Sequence, residues 1–303
     1  MQIVKSSTVT WVDVVRPTNK DIHLLMHEFN VHPLAATQLK DPTSRAIVEN
    51  YDTYLYVVLH FPIFNEEKET SESTEIDFVI TPSMLLTARY SDLAPLESIL
   101  KRCSFVPRKN SAMCMDKGPM FLFYYVVKEL FNFSQREIDH MHEKIVTIEE
   151  GIFEGRERRM LIDISRVRRD IINFTSALKP QRMVLENLLR REDFVDSYTR
   201  PYIIDLLTEY DKIFNLITTK SETIEALQQT NESLLNVKTN EAIKTLSLMA
   251  FMTFPLMLIV AILALDTQTR FIVGRTGDLW IIIGLLLAVA LGFFTYFKKK
   301  GWI

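Results

Sequence analysis

The sequence has only two cysteines, Cys103 and Cys114, and no cysteine-rich pattern that would hold zinc. It has no glycine-rich loop to cradle a phosphate and no nucleophile elbow. Neither an enzyme nor a nucleotide-driven pump is expected. The net charge is −3, so there is no basic excess to meet a nucleic acid. Glycine is absent between Gly155 and Gly274, and only Pro180, Pro201 and Pro255 interrupt that interval. Breakers at that density leave room for little but helix. No short apolar leader with a cleavage site opens the chain, so export of residues 1–245 is not expected.

Charge is also missing from two long runs near the end. Residues 246–265 read LSLMAFMTFPLMLIVAILAL, and residues 279–297 read LWIIIGLLLAVALGFFTYF. At about 1.5 Å per helical residue, each can cross a hydrocarbon layer of about 30 Å. Residues 1–245 carry 30 basic and 36 acidic side chains, whereas the remaining 58 residues carry five and two. Lys298, Lys299 and Lys300 close the second run, and Lys238 and Lys244 precede the first. The intervening loop, with Asp266, Arg270, Arg275 and Asp278, is neutral overall. Positive flanks stay on the cytoplasmic side. The expectation is a multi-pass protein of the cytoplasmic (inner) membrane with both termini cytoplasmic. Both cysteines then face a reducing compartment, and a disulfide is not expected.

Ahead of the membrane the texture changes once. Residues 8–15 (TVTWVDVV), 53–61, 75–80 and 84–90 read as strands, and residues 19–29 as a short amphipathic helix. The polar stretch NEEKETSESTE (65–75) reads as a mobile loop. From Pro119 the pattern is helical, punctuated at Gly151 and Gly155. Residues 201–244 carry an apolar stripe at Ile203, Leu207, Tyr210, Phe214, Ile217, Ile224, Leu227, Leu234 and Ile243. That stripe runs into the first apolar run without a linker, making a rod of roughly 95 Å if continuous. A rod with one apolar stripe needs neighbours, either earlier helices or copies of itself.

The resulting division is an α+β module (1–118), a helical hairpin (119–200), a stalk helix (201–245), a first span (246–265), an outside loop (266–278), a second span (279–297) and a basic tail (298–303). HPLAATQLKDPTSRAIVENYDTYLYVVLHFP (32–62), LKPQRMVLENLL (178–189), TNEAIKTLSLMAFMTFPLMLIVAILAL (239–265) and YFKKKGWI (296–303) together resemble the CorA family of magnesium transporters. The resemblance implies a CorA-like funnel: a homopentamer in the lipid bilayer, with first spans lining a pore for Mg2+ or another divalent cation. It also implies regulatory divalent ions between the cytoplasmic modules, and no covalent cofactor.

One departure is plain. The family's Gly-Met-Asn signature at the outer end of the first span is replaced here by Ala264-Leu265-Asp266. Mg2+ holds its water tightly and favours octahedral oxygen geometry. Alanine adds a methyl group where glycine would leave the carbonyl open, and aspartate keeps asparagine's size but adds charge. Five aspartates in a ring would repel one another and raise some of their pKa values. Such a ring concentrates cations at a pore mouth, and it can equally trap them. Arg270, four residues on, is placed to neutralise it.

The family's pore face, carried over residue by residue, is Asn240, Ile243, Leu246, Ala250, Phe254, Met257, Ala261, Ala264 and Asp266. Its nearly apolar surface would gate by dewetting at Ile243, Leu246 and Phe254. The alternative is that this face packs on another helix and lines nothing. Asp205 matches an acidic position that in the family helps to hold a regulatory ion. A single carboxylate needs partners for that, and Asp92 lies in the right module; a solvated surface charge is the plainer reading. His23 and His27, and His140 and His142, read as ordinary helix histidines. Two functions stay open: a divalent-cation channel with an altered filter, and a membrane-anchored sensor that kept the fold and lost conduction.

Overall fold

The computed structural model describes residues 1–43, 45–65, 70–105, 115–264 and 278–301. They divide into two units, Met1–Asn231 and Glu232–Ile303. In the first, six strands form one mixed sheet: β1 (Gln2–Lys5), β2 (Thr10–Val15), β3 (Ile47–Tyr51), β4 (Tyr54–Asn65), β5 (Thr70–Ile80) and β6 (Met84–Arg89). Their order is β1-β2-β6-β5-β4-β3. Only β2 and β6 run parallel.

Strand alternation sorts the sheet's two faces. Val12, Val14, Tyr56, Val58, Val79, Leu86 and Ala88 point to one side. There they bury Ile22 and Leu25 of α1 (Asn19–Glu28) and Ala35 and Ala36 of α2 (Pro33–Gln38). Thr18 and Asp21 close a capping box that starts α1. On the other side Phe78 meets Phe123 edge-on at 5.0 Å, and Phe61 meets Phe131 at 5.7 Å. Both partners belong to α4 (Pro119–Phe153). With both faces covered, β4 and β6 are buried almost end to end, which explains their unbroken apolar runs.

The remaining helices of this unit are α3 (Ala94–Phe105), α5 (Glu157–Leu178), α6 (Gln181–Leu189) and the start of α7 (Arg200–Ala264). The chain reverses between α4 and α5 at Gly155, whose φ of 86° is the left-handed conformation glycine tolerates. Gly151 lets the α5 side chain of Met160 approach closely enough that a Cβ would lie 2.4 Å from its sulfur.

Within the stretch 65–75, read as a mobile loop, the described residues Asn65 and Thr70–Glu75 are strand instead. Thr70 to Glu75 continue β5, with Thr70 opposite Asn65 and Glu75 opposite His60. The polar strand is held by α5: Asn173 donates to the Ser71 carbonyl at 3.1 Å, and Asp170 accepts from the Ser71 backbone N–H. A polar composition hid a strand whose partners are side chains from another element. β1, β3 and α3 were not expected.

Along the first part of α7 the buried positions are Ile203, Leu206, Tyr210, Ile213, Ile217, Ile224, Leu227 and Asn231. The steps are three, four or seven throughout, the spacing of one helix seam. Leu207, Phe214 and Leu234, counted in the expected stripe, are only half-buried. In the second unit, the rest of α7 and α8 (Asp278–Lys299) are the two helices long and apolar enough to cross a membrane, and the apolar stretch of each is not buried within the chain.

Candidate ion pathway

The carried-over pore positions Asn240, Ile243, Leu246, Ala250, Phe254, Met257, Ala261 and Ala264 all lie on α7. Leu265 and Asp266 lie outside the described residues, as does the loop from 266 to 277. Ile243, Leu246, Phe254 and Met257 are between 54% and 68% exposed within one chain, a strong departure from what large apolar side chains do in water. Buried Leu248 and half-buried Met252, Pro255, Leu256, Ile259 and Leu263 occupy a different face. At about 100° per residue, the mean direction of that second set is roughly opposite the first. The large side chains Ile243, Leu246, Phe254 and Met257 therefore point away from the Leu248 side, whereas Ala250, on their own face, is half-buried.

Pro255 stands inside the span without ending the helix. Lacking an N–H, it leaves the Phe251 carbonyl without its helical donor. One turn earlier Thr253 Oγ1 donates to the Met249 carbonyl at 2.9 Å, an internal satisfaction that hydrocarbon demands.

Asp205, on the first turns of α7, is not an isolated surface charge. Lys128 Nζ of α4 donates to its Oδ2 at 2.6 Å, and the Tyr124 hydroxyl donates to the same oxygen at 2.8 Å. Lys128 also donates to the Tyr124 hydroxyl at 3.0 Å, so the three groups form a closed triangle. Partial burial pushes the Asp205 carboxyl up, but the hydrogen bonds and charge of Lys128 and Tyr124 outweigh it and hold it below the ordinary range. The Asp205 contacts raise the Lys128 ammonium. Chemically, a tethered monovalent cation sits where a hard divalent ion would look for oxygen.

Asp92 pairs with Arg16 at 3.6 Å, both largely exposed. Among the described residues, no three His, Cys, Asp or Glu side chains are grouped to hold a metal. His23 and His27 stack at 6.4 Å on α1, and both His140 and His142 are exposed.

Two buried polar groupings escaped the sequence reading. Under α3, Arg89 reaches Asp13 through Nε and Nη2 at 3.2 Å each and Glu97 through Nη1 at 3.2 Å, while Thr87 donates to Asp13 at 2.6 Å. On the opposite face, His60, Glu75 and Asp77 lie together with Tyr56 and Tyr90. Charged residues inside otherwise apolar strands were the available signal, at Asp13 within TVTWVDVV and at His60 within TYLYVVLHF.

A mixed sheet layered with helices is thus followed by long helices, two of which are long and apolar enough to cross a membrane. A family model described as "CorA-like Mg2+ transporter protein" matches residues 6–299, and the chain belongs to that family. It is 22% identical to the "Cobalt/magnesium transport protein CorA" of Thermotoga maritima over 98% of this chain and 84% of that one. It is 20% identical to the protein of the same name from Methanocaldococcus jannaschii, over 97% and 91%. The fold superposes on the complete structure of the CorA magnesium transporter from M. jannaschii with a TM-score of 0.83, covering 99% of this chain and 93% of that one at 19% identity. The full-length CmaX protein gives a TM-score of 0.71, covering 98% and 90% at 16% identity.

Proposed function

We propose that the chain forms a homopentamer in the cytoplasmic membrane, both termini inside, that conducts Mg2+ or another divalent cation along the membrane half of α7. The observation that carries the reading is the family match over residues 6–299, which ends in two membrane-length helices. Large apolar side chains are bare around much of the span, Ile243, Leu246, Phe254 and Met257 on the carried-over face and Met249, Phe251 and Leu258 off it, and lipid together with further copies of the chain would cover them. Ions would move passively, driven by the membrane potential, through apolar rings that gate by dewetting. At the outer end Ala264-Leu265-Asp266 stands in the filter position, and a ring of Asp266 carboxylates would set selectivity.

The sensor reading has its own support. The filter signature is absent, and the Asp205 carboxylate of the proposed regulatory site is occupied by Lys128. Purified protein in liposomes separates the two. Influx of Mg2+, Co2+, Ni2+ and Zn2+ is followed with indicator dyes under an imposed potential. Flux of at least one ion, with a selectivity altered by Asp266→Asn, is expected. Absence of flux for every ion, with Mg2+ binding intact, would establish the sensor instead. A stable monomer in native mass measurement would defeat both.

A further inference from the structure

β4 and β5 bring His60, Glu75 and Asp77 to one face of the sheet, since residues 56, 58 and 60 of β4 alternate with the same parity that 75, 77 and 79 have on β5. All three are buried: His60 is 7% exposed, Glu75 5% and Asp77 0%. The Tyr56 and Tyr90 hydroxyls both donate to Asp77 Oδ2, at 3.2 and 2.8 Å. Among the described residues no well-formed hydrogen bond reaches Asp77 Oδ1 or either oxygen of Glu75, although His60 Nε2 stands 3.4 Å from Glu75 Oε2. A buried carboxylate oxygen without a partner is costly, and three in one place demand an explanation.

A single proton removes most of the difficulty. Carried on Asp77 Oδ1, it becomes a donor for the Glu75 carboxylate, its neighbour two residues along on the same face of β5. It also cancels one of two adjacent buried charges. The remaining Glu75 charge faces His60 Nε2 at 3.4 Å. Burial pulls the His60 imidazole down, but the Glu75 contact and the Thr43 carbonyl, 2.8 Å from Nε2, raise it overall.

The groups facing this pair are known from each element around it. β4 contributes Tyr56 and His60, the end of β6 Tyr90, and the segment after α2 the Thr43 carbonyl and, near Tyr90, Asp41. The α6 residue Gln181 donates its amide to the His60 carbonyl. Of the charged partners named here, only His60 is cationic, and it serves Glu75. Among the described residues, no cation is paired with Asp77, whose hydrogen-bond donors are the Tyr56 and Tyr90 hydroxyls.

We propose that Glu75 and Asp77 form a buried proton-binding site, sharing one proton between two carboxyls, that senses pH where the segment after α2 docks on the sheet. Burial first, and the Glu75 charge second, push the Asp77 carboxyl up to about 8, within the range a cell interior covers. The sign follows. A carboxyl raised in the folded state stabilises the fold at low pH, and that stability is lost as pH rises through its folded value. Ionisation leaves two like charges side by side and loosens the Glu75–His60–Thr43 chain. The site does not depend on conduction.

Infrared difference spectroscopy on the full chain in detergent reads the proton directly. The C=O stretch of a protonated carboxyl should persist at neutral pH, disappear with a midpoint near 8, and be missing in Asp77→Asn. Asparagine keeps an acceptor for the tyrosines and a donor for Glu75, so that variant should fold. Glu75→Gln should keep the band and lower its midpoint by about one pH unit or more. Hydrogen exchange, corrected for intrinsic rate, should rise in the segment carrying Thr43 above the midpoint in the parent and stay flat in Asp77→Asn. No protonated band at neutral pH, or one unchanged by Asp77→Asn, overturns the site. Stability that collapses on chelation would mean a trapped metal ion and overturn it equally. Exchange that ignores the midpoint overturns the sensing role.

Discussion

Replacing Lys128 by glutamine should convert Asp205 from a closed ion pair into an open carboxylate able to take a divalent cation. The size of the gain can be worked from the contacts. A divalent ion arriving at Asp205 must first displace Lys128 from Oδ2. Both side chains are about a third or more exposed, 33% and 40%, so the pair itself is worth only about 0.5–1 kcal/mol after solvent screening. The displaced ammonium then remains near a doubly charged ion. At about 5 Å in water-like dielectric that repulsion is roughly 1.5 kcal/mol. Together they weaken binding by about 2 kcal/mol, or roughly 30-fold. Lys128→Gln removes both terms while keeping a side chain that can still reach the Tyr124 hydroxyl.

Mg2+ protection of the full chain against limited proteolysis is a suitable assay, because it needs no conduction. The midpoint should fall about 30-fold in Lys128→Gln, and the gain should vanish in Lys128→Gln combined with Asp205→Asn. Asp205 is held below the ordinary carboxylate range in the parent, and in the variant the Tyr124 hydroxyl still donates to it, so both are expected to be ionised at neutral pH. The difference should therefore be constant between about pH 6 and 8. A midpoint that moves less than about twofold, or a gain that survives Asp205→Asn, refutes the reasoning, because Asp205 would then not be the carboxylate that the ion seeks.

Arg89→Met should destabilise the protein by about 3–5 kcal/mol in denaturant unfolding, since Asp13 at 0% exposure loses its only guanidinium. Adding Asp13→Asn should return much of that loss. Phe254→Ser should raise liposome flux roughly tenfold, the factor that about 1.4 kcal/mol off a dewetting barrier gives. Unchanged flux would place Phe254 against lipid. Gly151→Leu should separate α4 from α5 and lower the thermal midpoint, whereas Gly151→Ala asks only that the flexible Met160 side chain shift.

What was legible in the sequence is what periodicity encodes. Two uncharged runs of membrane length gave the last two helices, an alternating β-branched run gave β2, and the stretches 53–61 and 84–90 were read as the strands β4 and β6. The seam of α7 was found only to within one position, because Leu206 and Leu207, or Ile213 and Phe214, satisfy the same spacing. Packing chose the first of each pair. The strand at Thr70 to Glu75 was hidden because its stabilising partners, Asp170 and Asn173, lie about a hundred residues away.

The candidate site divides along the same line. A helix face is a local property, so the direction of Ile243, Leu246, Phe254 and Met257 could be stated before any coordinates. The state of Asp205 is not local. Lys128 lies 77 residues earlier on a different helix, and nothing in either segment says that the two face each other. Without that pairing, Asp205 reads as a solvated surface charge, or as one carboxylate of the ion site that the family resemblance implies. With it, the same position already holds a cation supplied by the chain, and a divalent ion must compete for it. Sequence gave the residue types a hard-cation site would use, but whether the site is open depends on a tertiary contact. Any divalent ion drawn to Asp205 would therefore be governed by α4 as much as by α7.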